Sequence, residues 1–143
     1  MITENYVSFK IAKLLKEKGF NELCFRLINE DGEIVEAPSQ AWNGMTKRQK
    51  AQFYLCPTHQ MACKWFRDVH KLLISVDASP IYGKVKDDKG KNTCGLLYWH
   101  YMASGVWLNE EYSPYQRIFV VSGESYEEAV EAALKYSLEN LLK

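Results

Sequence analysis

Net charge is the first thing this sequence lacks: eighteen Lys and Arg are balanced by eighteen Asp and Glu over 143 residues. A generic polyanion binder carries a clear basic excess, so the balance argues against one. Long apolar runs are missing too. No uninterrupted stretch exceeds four residues, as at Leu96 to Trp99, far short of the ~20 that a membrane-spanning helix needs. Met1 to Lys18 holds no apolar stretch ahead of a small-residue cleavage site, so no secretory signal is read there. The expectation is a cytoplasmic protein with reduced thiols and no membrane partner. The four Cys need form no disulfide framework, because a chain of this size buries on the order of 68–70% of its unfolded surface. Gly-rich phosphate loops, a nucleophile elbow, a His-Glu-x-x-His pair and carboxylates paired within an apolar pattern are all absent. Glu110-Glu111 and Asp87-Asp88 read as loop acids. No cofactor is expected.

Aromatic residues, by contrast, are plentiful: four Trp, nine Tyr and six Phe. They fill cores, and they also dominate interface hot spots. The surplus favours a partner-binding face.

Residues 1–143 read as one α+β domain. Ser8 caps a short first helix with Phe9, Ile11, Ala12 and Leu15 on its apolar stripe, and Gly19 stops it. Leu23 to Ile28 and Glu33 to Val35 flank Asn29-Glu30-Asp31-Gly32, a hairpin signal. Residues 37–57 read mainly as an ordered loop with a helical turn near Lys47 to Phe53. A loop that long in a compact domain suggests either function or a misassigned element. Thr58 caps a helix to Lys71 on which Met61, Trp65, Phe66, Val69 and Leu73 recur at helical spacing. Leu73 to Asp77 reads as a strand ended by Pro80, Ile81 to Lys86 as a second, and Thr93 to Met102 as an aromatic third. Ser104-Gly105 and Asn109 to Pro114 read as loop, and Arg117 to Val121 as a strand. Ser125 and Glu128 form a capping box for a closing helix from Tyr126 to Leu142.

Short turns between strands favour an antiparallel sheet, of about four to five strands, with two main helices packed on it and the short N-terminal helix beside them. The expected core holds Leu15, Met61, Trp65, Val69, Ile74, Leu97, Trp99, Phe119, Val130, Leu134 and Leu141.

Tyr54-Leu55-Cys56-Pro57-Thr58-His59-Gln60-Met61-Ala62-Cys63-Lys64-Trp65-Phe66-Arg67-Asp68, with Gly95 to Tyr101 and Ser125 to Leu134, resembles a family of small phage and mobile-element proteins of gut Bacteroidetes. The likeness runs from about Ala51 to Lys143 and includes the opening Val-Ser-Phe-Lys-x-Ala-Lys-Leu-Leu-Lys-Glu-Lys-Gly-Phe, Val7 to Phe20. It implies a small cytoplasmic accessory protein and brings no activity and no catalytic residues. His59 and Cys63 stand where that family's pattern has apolar or variable residues.

Cys56-x-x-His59-x-x-x-Cys63 offers two kinds of chemistry. Zinc wants four N or S ligands, and Cys24 or Cys94 would have to supply the fourth. Alternatively Cys56 or Cys63 is a nucleophile with His59 as base. His70 lies roughly 10 Å beyond Cys63 along the helix, out of reach. Both readings rank below buried thiols acting as small hydrophobes.

A rival function is nucleic-acid binding. Residues 47–91 hold ten Lys or Arg against four acids, so the rest of the chain is equally acidic. Lys47, Arg48, Lys50, Lys64, Arg67 and Lys71 beside Trp42 would make that surface. The order from Thr58 onward is similar to a double-stranded-RNA-binding domain, but Glu124, Glu127 and Glu128 would repel phosphate where such domains are basic. The favoured expectation is a non-enzymatic interaction protein that binds another macromolecule or itself. Trp42, Arg48, Arg67, Tyr98 and His100 are its candidate contact residues.

Overall fold

The computed structural model describes residues 5–36, 42–108 and 117–142. In chain order these form α1 (Phe9–Glu17), β1 (Arg26–Asn29), β2 (Ile34–Glu36), α2 (Lys47–Gln52), β3 (Phe53–Leu55) and α3 (His59–His70). Next come β4 (Leu72–Lys86), β5 (Asn92–Trp107), β6 (Phe119–Gly123) and α4 (Tyr126–Tyr136), which runs into a π-helical turn at Ser137–Leu141. The class is α+β. In place of a single sheet there are two antiparallel three-stranded sheets, ordered β2-β1-β3 and β4-β5-β6.

Local chemistry accounts for most element ends. The Ser8 hydroxyl accepts from the Ile11 N–H to start α1. At its far end the Phe20 and Gly19 N–H groups donate to the Leu15 and Lys16 carbonyls, a Schellman closure that Gly19 permits at φ +88°. The Ser125 hydroxyl accepts from the Glu128 N–H to start α4, while the Glu128 carboxylate takes the Glu124 N–H. The Ser137 hydroxyl donates to the Ala133 carbonyl at 2.8 Å, and the helix widens there.

Three sequence expectations change. Phe53–Leu55 is a strand paired with β1, and Thr46 with Gln49 makes a full capping box for α2, so 42–57 is not mainly loop. The remaining residues of that segment, 37–41, lie outside the described residues, as do Asn109 to Pro114. Pro80 does not end a strand: β4 runs through it, because β4 is an edge strand whose outer side needs no N–H donor there. Ser104-Gly105 is not loop but central β5, where Gly105 is required because a side chain would overlap the Phe119 ring.

A core gathers Ile11, Ala12 and Leu15 of α1, Leu27 and Leu55 of the first sheet, Phe66 of α3, Leu72, and Val130 and Leu134 of α4. Phe20, Trp65 and Phe66 meet edge-on at 5.2–5.4 Å, and His70 caps the Trp65 ring at 4.5 Å. A smaller cluster of Ala103, Phe119, Ala129 and Ala133 seats α4 on the second sheet. Leu15, Trp65, Phe119, Val130 and Leu134 are buried as expected, and Met61, Ile74 and Leu141 are partly so. Val69, Leu97 and Trp99 are not: each is about half exposed, at 54%, 49% and 49%.

Candidate functional site

Two features carry polar or apolar groups beyond what the core requires. The first lies where α1, α3 and α4 meet. Glu131 of α4 accepts from the Ser8 N–H (2.9 Å) and the Ser8 hydroxyl (2.8 Å), and its Oε1 lies 2.9 Å from His59 Nε2. Burial alone would raise the Glu131 carboxyl, but the hydrogen bonds from His59 and Ser8 outweigh it and hold the group below its usual value. The order of these groups decides their chemistry. Glu131 stands between Ser8 and His59, so the imidazole does not reach the Ser8 hydroxyl to act as its base. The constellation is a clamp joining the starts of two helices to the middle of a third.

The thiols point the same way. Cys56 Sγ donates to the Val7 carbonyl at 3.3 Å, and burial pushes Cys56 and Cys63 each up to about 11. Both are therefore protonated thiols at neutral pH, neither good nucleophiles nor ready metal ligands. Among the described residues no three His, Cys, Asp or Glu side chains are grouped to hold a metal ion.

The second feature is an arm. β6 pairs with β5 only from Gly105 to Tyr101, where Gly123 is its last partner. Beyond that level β4 and β5 continue as a two-stranded ribbon, through Ser79–Lys86 and Asn92–His100. At 3.3 Å per residue it projects roughly 30 Å. Its tip is a turn in which the Asp87 carboxylate accepts from the Lys89 and Lys91 N–H groups. No residue from 78 to 100 belongs to either buried cluster.

The arm is apolar on both faces. Cross-strand partners share a face, so Pro80 with Trp99 and Tyr82 with Leu96 mark one side. Ile81 with Tyr98 marks the other, and a register shift at Ile81/Tyr82 sets Leu97 beside Tyr98 on it. Gly83 and Gly95 pair there, and a side chain on either would collide with Leu97 or Val85, which lie across them. Tyr82, Leu96, Leu97, Tyr98 and Trp99 are 47–62% exposed. Natural edges are blunted against indiscriminate pairing by Pro, charge and bulges, and Pro80, Lys84, Lys86 and the register shift supply all three here.

The sequence-predicted contact residues separate accordingly. Tyr98 is on the arm and exposed, and His100 is half-buried at its root. Trp42 is a correction: it is buried, its Nε1–H donates to Asn21 at 3.1 Å, and Lys50 lies over its ring. Arg48 is exposed on α2, whereas Arg67 on α3 shares Asp68 with Lys64, and Lys71 donates to the Asp68 carbonyl. The expected basic surface is thus divided between two helices, and one acid partly neutralises its α3 half. Tyr82, Leu96, Leu97 and Trp99 were missed as contact residues, although one signal was present: two apolar strands joined by a hydrophilic turn.

No protein-family model, curated protein or solved structure matches this chain.

Proposed function

We propose that this chain is a non-enzymatic interaction protein, an accessory factor of phage or mobile-element kind acting in the cytoplasm, and that the β4–β5 arm is its working surface. One observation carries the reading: five large apolar side chains stand about half exposed on a ribbon that, among the described residues, packs on nothing. Exposed contiguous apolar patches of a few hundred Å² mark contact sites for proteins. Nucleic-acid interfaces are more polar and more strongly basic, and the arm tip offsets four Lys with Asp87 and Asp88. Quantitative capture from the native host with the wild-type chain and with Leu97→Glu/Tyr98→Glu tests the reading. Partners held through the arm, including untagged copies of the chain, are lost with the variant while its circular dichroism is unchanged. A gel shift of DNA or RNA by the wild type at low salt, abolished by Arg48→Glu/Arg67→Glu, would instead establish the rival.

A further inference from the structure

Charge is distributed along the arm in a way that the apolar patch does not require. The tip carries Lys84, Lys86, Lys89 and Lys91 against Asp87 and Asp88, which leaves it net basic, and Asp87 holds the turn by accepting from the Lys89 and Lys91 N–H groups. The root is acidic. β6 ends at Gly123 opposite Tyr101, so Glu124, Glu127 and Glu128 at the start of α4 follow directly at the level where the arm leaves the body. Asp77, on β4 opposite Met102, adds a fourth carboxylate at that level, with the Arg117 guanidinium 3.9 Å away. Glu127 is half-buried and accepts from Asn5, whereas Glu124 and Glu128 are exposed. Tyr126, 51% exposed, stands among these acids. Along one arm the surface therefore runs basic, apolar, acidic, with the apolar stretch at the centre.

Such an order is self-complementary under one operation. Turned by a two-fold axis through the middle of the arm, tip faces root and the apolar centre faces itself. A two-fold contact is isologous, each patch meeting its own copy with residue i on j and j on i. We propose, resting on the reading of the arm as the working surface, that its occupant is a second copy of this chain. Two arms lie antiparallel with their Ile81, Leu97 and Tyr98 faces together, about an axis near Leu97, and the lysines of each tip reach Glu124, Glu127 and Glu128 of the other copy.

Size and charge both fit. A ribbon roughly 30 Å long and two strands wide supplies several hundred Å² from each copy. Counted over two copies, that reaches the lower range of specific interfaces, about 1,200 Å². The chain as a whole is neutral, because residues 47–91 carry the positive balance and the remainder the negative. Opposed signs placed at the two ends of the arm set register and suppress the parallel arrangement, in which lysines would face lysines. The arm projects away from its own root, so its tip meets these acids only on another molecule.

Sedimentation velocity of the full purified chain over a concentration series tests this. The wild type is expected to dimerise reversibly, more weakly as salt rises, and Leu97→Glu/Tyr98→Glu to sediment as a folded monomer. Lys84→Glu/Lys86→Glu and Glu124→Lys/Glu127→Lys should each weaken the dimer at least tenfold. Mixed in equal amounts they should restore it, since each tip then meets a root of opposite sign; simple misfolding of either variant cannot produce that rescue. A wild type that stays monomeric up to about 100 µM overturns the dimer, as does a mixture that fails to associate. In either case loss of host partners by the arm variant would still uphold the arm as the working surface for a different protein.

Discussion

Replacing Glu131 with Ala removes the shared acceptor of the α1–α3–α4 clamp. Three hydrogen bonds go at once: two from Ser8 and one from His59, whose side chain is 10% exposed. Hydrogen bonds to a charged group contribute about 1.5–3 kcal/mol each when buried. The two from Ser8 lie at the surface and count for much less. The net loss is therefore about 2–3 kcal/mol, most of it from leaving the buried His59 ring without its acceptor. For a chain of this length that lowers the melting temperature by roughly 5–10 °C. Urea titration at pH 7 measures the loss directly. The sign of its pH dependence follows from the carboxyl, which is held below its usual value when folded. The stabilisation is fully present above the unfolded-state value of about 4.3 and is lost as pH falls through the folded value. The wild type and variant should thus converge in acid. A difference below about 0.5 kcal/mol at pH 7, or one that persists undiminished below pH 4, would refute the clamp.

Trp65→Ala should cost about 3–5 kcal/mol, because the ring is 5% exposed and touches Phe20, Phe66 and His70. Trp99→Ala should cost under about 1 kcal/mol in the same urea assay, which separates core from arm among the tryptophans. A disulfide reagent at pH 8 should modify exposed Cys94 promptly and buried Cys56 only on unfolding, with partly exposed Cys63 slower than Cys94 because burial holds its thiol near 11. Burial on the Trp65 ring depresses His70, so its neutral form supports the fold above pH ~6.5 and that support is lost as pH falls through the folded value. His70→Phe should flatten the wild-type loss of stability between pH 7 and 5, read by thermal melts.

Helix ends were legible in the sequence because their signals are local. Ser8, Thr58 and Ser125 each accept from an N–H three residues on, and Gly19 closes α1. The Asn29–Gly32 turn was legible for the same reason. Thr46-x-x-Gln49 carried an equally local signal and was passed over within an irregular stretch. Long-range facts were not legible. Whether Pro80 ends a strand depends on β4 being an edge, and whether Leu97 and Trp99 are core depends on where α4 lies against the sheet. Alternation correctly set Tyr98 and Trp99 on opposite faces, yet both faces are wet because, among the described residues, α4 packs on this sheet only at the level of Ala103 and Phe119. The clamp was hidden for a different reason. Its members lie 72 and 123 residues apart, and no spacing rule joins Ser8 or His59 to Glu131.

Excision of the arm tests the central claim most directly. Ser79 to His100 is replaced by a two-residue Asn-Gly turn joining the paired residues Ala78 and Tyr101, and the shortened chain is compared with the wild type by thermal melting and sedimentation velocity. An arm built for contact leaves a cooperatively folding monomer that melts within a few degrees of monomeric wild type. A shortened chain that fails to fold, or one that still associates as the full chain does, would contradict the account.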